Sequence, residues 1–93
     1  MTNAAFLTSV QTSATGTNFV TFPAYVCDAV HVINNTGTTL AFKRGSDSAT
    51  FELPTGTGYS FYGITNANQI SVKRADDSNT QVTIKSIEAE YLS

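Results

Sequence analysis

The chain has 93 residues, 41% hydrophobic and only 13% charged, with a formal net charge of −2 at neutral pH. That length fits one domain, and that charge excludes the broad basic field on which general nucleic-acid binding depends. The one cysteine, Cys27, excludes an intrachain disulfide, and with the one histidine, His31, it supplies too few ligands for a Cys/His metal site. No run approaches the roughly 18–20 apolar residues of a membrane-spanning helix. Met1–Ala5 lacks the basic start and long apolar run of a secretory signal, so synthesis and use on one side of a membrane is expected. A chain of this size buries only about 60–65% of its unfolded surface, and small unstapled domains commonly gain stability by oligomerising.

Taken in order, Phe6–Thr12 predicts a first strand, polar enough for an edge or for pairing with another subunit. Ser13–Asn18 is a Ser/Thr/Gly turn, and Phe19–Phe22 is a short second strand that Pro23 ends, because proline has no amide to donate. Tyr25–Asn34 predicts a third strand, apolar on both parities, as expected of a central strand buried on both faces or of one with a face-switching bulge. Asn34-Asn35-Thr36-Gly37 is the strongest turn signal.

Leu40 and Phe42 are expected inward, Ala41 and Lys43 outward. After a turn at Gly45–Ala49, Phe51-Glu52-Leu53 presents Glu52 to solvent, and Pro54–Gly58 is a corner. Tyr59 and Phe61 are expected inward, Ser60 and Tyr62 outward, and Gly63–Asn68 leads to inward Ile70 and Val72. In the last strand, Gln81–Tyr91, the apolar parity slips between Ile84 and Ile87, as expected of a bulge near Ser86 or of a strand crossing from one sheet to another subunit.

The middle of the chain repeats itself. Leu40-Ala-Phe-Lys-Arg and Ile70-Ser-Val-Lys-Arg stand thirty positions apart, and Asp47-Ser48 matches Asp77-Ser78 at the same offset. The pseudo-repeat runs over about residues 30–53 and 60–84 of a single β domain. No stretch has a helical period, and about eight short strands between turns predict a small antiparallel β-sandwich or barrel, Greek-key or jelly-roll-like.

The candidate chemistry is sparse. His31 lies in an apolar strand with no nucleophile pattern in its sequence neighbourhood, so it is read as structural rather than as part of a Ser-His-acid triad. Cys27, beside Asp28, reads as a buried small hydrophobe rather than an activated thiol. The turns at Asp47 and at Asp76-Asp77-Ser78-Asn79 lack the spacing of a calcium loop and read as side-chain-capped turns. No catalytic, cofactor-binding or metal-binding residue is assigned.

Lys43, Arg44, Lys73 and Arg74 are expected to gather at one end of the domain as an acceptor for partner carboxylates, with local pairing to Asp47, Asp76 and Asp77 as the competing reading. Tyr25, Tyr62 and Tyr91 suit core or subunit-interface packing, with a sugar platform as the alternative. Tyr62 and Tyr91 join the four cations as candidate partner-binding residues.

The runs Val32–Leu40, Lys43-Arg44-Gly45, Ser71–Asp76 and Ser78–Ile84 resemble the small all-β structural proteins of tailed bacteriophages, among them the capsid decoration or cement proteins. The resemblance spans roughly Val30–Glu90. It implies a non-enzymatic virion protein, made in the host cytoplasm, that sits on the capsid surface as a homo-oligomer such as a trimer. Its partner would be the major capsid protein, with no cofactor, nucleic acid or membrane. A carbohydrate- or receptor-binding β-sandwich of a phage tail or fibre is the alternative.

Overall fold

The computed structural model describes the backbone of residues 2–45 and 49–92, and the side chains of residues 8–45 and 49–90. Among the described residues there are eight strands: β1 Thr2–Gln11, β2 Val20–Thr21, β3 Ala29–Asn34, β4 Leu40–Arg44, β5 Phe51–Leu53, β6 Thr57–Tyr62, β7 Ile70–Arg74 and β8 Thr83–Leu92. They form two four-stranded antiparallel sheets, a first in the order β1-β8-β3-β6 and a second in the order β2-β7-β4-β5. That pair of orders is the jelly roll, an eight-strand sandwich built from two Greek keys. Among the described residues no helix is long and apolar enough to cross a membrane.

Period-two patterning drives each sheet to present one apolar face to the other. Val30 and Val32 from β3, Phe61 from β6, Ile84, Ile87 and Ala89 from β8, Leu40 and Phe42 from β4, and Ile70 and Val72 from β7 are all buried there. Phe42 is the hub, with the Phe51 ring stacked at 5.8 Å and Phe61 tilted at 5.8 Å, while Phe22 meets it edge-on at 6.4 Å. Full burial of each such side chain contributes about 1.5–3 kcal/mol. Cys27 is a free thiol buried with them, as its sequence context suggested.

The repeated segments occupy related places. β3 pairs with β6 in the first sheet, and β4 pairs with β7 in the second. Both β3→β4 and β6→β7 therefore cross between sheets, and β4 and β7 share one burial pattern of three buried residues followed by two half-buried ones. The correspondence stops there, because β5 stays beside β4 while β8 returns to the first sheet.

Several sequence expectations need correction. The third strand is shorter than expected, beginning at Ala29, and it is not buried on both faces: Ile33 is 54% and Val26 61% exposed. The apolar side chains before Ala29 belong to a connecting segment, in which Val26 makes only an isolated bridge to Asn66. Ala41 does face outward as expected, and it is covered there because it is a small residue in register between Glu52 and Lys73. Tyr59 shares the inward parity of Phe61 and touches it and Phe51, yet it stays 43% exposed on an edge strand at the rim of the core. The bulge expected near Ser86 is present: Thr8 pairs with Ile87 and Val10 with Ile84, so β8 carries one extra residue.

Polar anchors hold the connections. Asn34 is fully buried, donating to the carbonyls of Thr38 (2.9 Å) and Leu53 (2.7 Å) while its oxygen accepts from the Thr36 amide and hydroxyl. Gly37 supplies the positive φ of 89° that this turn requires. Gly16 packs under the turn before β8, where a Cβ would lie 2.2 Å from the Ser78 carbonyl oxygen. A short 3-10 turn, Ala67–Gln69, starts in a capping box between Asn66 and Gln69 that the sequence reading overlooked.

Candidate functional site

The outer face of the first sheet carries a polar row built by strand register. His31 on β3 lies opposite Glu88 on β8 on one side and opposite Ser60 on β6 on the other. Alternation brings Glu90, two residues beyond Glu88, to the same face. All four side chains are half-buried. His31 Nδ1 is 2.8 Å from Ser60 Oγ, and His31 Nε2 contacts Glu90 Oε1. The Tyr62 ring stands edge-on to the imidazole at 6.0 Å. Beside the row, a shallow groove is lined by His31, Ile33, Lys85, Ser86, Ile87 and Glu88. The β8 bulge lies at this groove, turning both Lys85 and Ser86 away from the core while Ile84 and Ile87 stay buried.

Sequence proximity gave no hint of this cluster, because Ser60 is 29 and Glu90 59 positions from His31. The signal that existed was outward parity: Ser60 beside Phe61, and Glu88 and Glu90 around Ala89. His31 does lie beside a serine and a carboxylate, contrary to the expectation from its local sequence. The arrangement differs from a hydrolytic triad in its wiring. The hydroxyl is on Nδ1 and the carboxylate on Nε2, and all three are presented on an open sheet face rather than in a cleft.

The candidate partner-binding cations do not share one rim. β4 and β7 are antiparallel neighbours, with Arg44 opposite Ile70 and Arg74 opposite Leu40, so the two Lys-Arg pairs end their strands at opposite ends of the sheet. Arg74 is absorbed by its own turn. It binds Asp76 bidentately (3.0 and 2.8 Å), donates to the Thr80 carbonyl at 3.0 Å, and reaches Thr38 Oγ1 at 3.3 Å. The Arg74 guanidinium, with the Ser78 amide, holds the Asp76 carboxyl below the usual carboxylate range. Lys73 pairs with Asp77 at 2.5 Å. Lys43 and Lys73 converge on the outer face over the Phe19 ring, at 4.5 and 5.9 Å from its centroid.

Arg44 is placed differently. Its Nη2 donates to the Tyr62 carbonyl at 2.6 Å, bringing two of the candidate residues together where β4 meets the end of β6. Arg44, Lys43, Phe51 and Tyr59 line a second shallow groove. Tyr62 is 58% exposed, whereas Tyr25 packs partly against the core. The Tyr91 side chain and Asp47 lie outside the described residues. Burial and the neighbouring Asp28 carboxylate push the Cys27 thiol pKa up, which opposes thiolate formation.

Comparison with protein-family models, curated proteins and solved structures finds no match to this chain.

Proposed function

We propose that the protein is a structural, partner-binding module of a virion, a capsid decoration protein that adds buried surface where major capsid protein subunits meet. In this reading it is made in the host cytoplasm, carries out no reaction, and acts on the capsid surface in company with further copies of itself. One observation carries it: Arg44 donates to the Tyr62 main-chain carbonyl and lines a groove with Lys43 and Tyr59, so two cations and an exposed tyrosine meet at the end of β6 that also carries exposed Tyr62. Tyrosine and arginine are the residues in which interface energy concentrates. The jelly roll is also an architecture of viral capsid and lectin domains, an argument by fold analogy alone.

The test is reconstitution on capsids stripped of the protein, with occupancy read after gradient sedimentation. Arg44→Ala combined with Tyr62→Ala is expected to lower occupancy by tenfold or more while free protein melts nearly as before. Arg74→Ala is expected to do the reverse. Full occupancy of the Arg44/Tyr62 variant, or no association of the unmodified protein with capsids, defeats the reading. The same exposed tyrosines favour the carbohydrate-binding alternative, which saturable binding to a glycan with no affinity for capsids would select.

A further inference from the structure

The polar row on the first sheet has a property that neither capsid attachment nor packing explains. A ring nitrogen of His31 and one carboxylate oxygen from each of Glu88 and Glu90 lie within 4.8 Å of one another, in half-buried positions, and it is Nε2 that contacts Glu90. Strand geometry produces this convergence: His31 and Glu88 are a direct cross-strand pair, and Glu90 follows at the next position on the same face. Ser60 Oγ lies 2.8 Å from Nδ1, the ring nitrogen opposite the one that contacts Glu90. A cation would displace the proton held between Nε2 and Glu90, and with Nδ1–H donating to Ser60 the Nε2 atom is then a ligand on the carboxylate side. An outer partner that fixes the tautomer and aim of a ligating imidazole is a regular part of protein metal sites.

We propose that His31, Glu88 and Glu90 bind a borderline divalent cation of the Zn2+ class. The two carboxylates match its charge, and the imidazole selects it over hard ions. Ca2+ takes about six to eight oxygens, more than this face offers, and Mg2+ holds its waters and favours oxygen donors. All three ligands rise from one side of the sheet, so the remaining coordination positions face outward. They open beside the groove containing Ile33 and Lys85, accessible to water or to a donor group of another molecule. The exposed Lys85 amine is the opposing charge nearby, and its four-carbon stem lets it swing into solvent. The site stands whether or not the protein decorates a capsid.

The experiment is a ZnCl2 titration of the full chain, followed together by calorimetry and by NMR of the imidazole ring. His31 is the one histidine, so its ring signals are unambiguous. Expected is saturable one-to-one binding that moves those signals and fixes the Nδ1–H tautomer, with CaCl2 at equal concentration failing to compete. Glu88→Gln and His31→Gln should each weaken binding at least tenfold, and Ser60→Ala about tenfold through the loss of the orienting partner. Should His31→Gln fail to fold, Glu88→Gln, which exchanges one oxygen for an amide nitrogen at the surface, carries the test. Three results overturn the proposal: no saturable uptake by about 1 mM Zn2+, uptake that leaves the His31 ring signals unmoved, or uptake unchanged by Glu88→Gln.

Discussion

The Asn34 side-chain amide donates to the main-chain carbonyl of Leu53 at 2.7 Å, tying the end of β3 to the end of β5 across nineteen positions of chain. The same amide caps the Thr38 carbonyl, and the Asn34 main-chain carbonyl accepts from Gly56 at 2.6 Å. One buried residue therefore organises two turns. Asn34→Ala leaves buried acceptors without donors, a loss of about 2–3 kcal/mol. Urea unfolding should show a lower midpoint at an unchanged slope. An unchanged midpoint would mean that the turns hold their shape without it.

Gly16→Ala should also destabilise, by about 1–3 kcal/mol. The added methyl would meet the main-chain oxygens of Ser78 (2.2 Å) and Asp77 (2.3 Å), neither of which is the end of a flexible side chain. The Gly16 amide is bonded to Asn79 Oδ1 at 2.9 Å, so relief requires parting two loops that are joined there. Amide hydrogen exchange should quicken at Gly16 and around Ser78. A variant with native exchange rates at both places would refute the close approach.

Acid should reveal the Arg74–Asp76 pair. Because the folded state holds the Asp76 carboxyl below its ordinary pKa, the unfolded chain binds the proton first as pH falls. The contribution is complete above about pH 4 and is lost as pH drops from there through the lowered folded value. Asp76→Asn should flatten the stability profile in that window and leave it parallel to the parent above it. The effect is small because the carboxylate is solvated. Identical slopes below pH 4 would show that the pair contributes nothing.

Cys27 gives the opposite sign. Its thiol pKa is raised by burial and by Asp28, so the folded state holds the proton more tightly than the unfolded state does. Stability from this group is present below the unfolded thiol value and declines as pH rises beyond about 8.5–9. Iodoacetamide should label native protein far more slowly than urea-unfolded protein, at least a hundredfold, since 1% of Cys27 is exposed. Equal labelling rates would place the thiol at the surface.

The alternation of Leu40-Ala-Phe and Ile70-Ser-Val made the inward residues of β4 and β7 legible, because a half-buried strand writes its burial into every second position. The bulge in β8 was legible for the same reason, as a break in that rhythm between Ile84 and Ile87. Long-range placement was not. Whether Arg44 and Arg74 end on one rim depends on whether β4 and β7 run parallel or antiparallel, and no local pattern encodes that choice. The His31–Ser60–Glu90 contacts were hidden likewise, since they join three strands through register alone. The outward parity of Ala41 was legible too; its burial was not, because that depends on the cross-strand neighbours Glu52 and Lys73.

The antiparallel pairing of β4 with β7 has a mechanical corollary. Four residue steps separate the Arg44 and Arg74 positions along the ladder, about 14 Å at the rise of a strand. The sandwich has unlike ends: at one, among the described residues, Arg44 is fastened to the Tyr62 main-chain oxygen; at the other, Arg74 is locked to its own acid. Tension along the sandwich would run through the hydrogen-bonded β4–β7 ladder that joins these two ends.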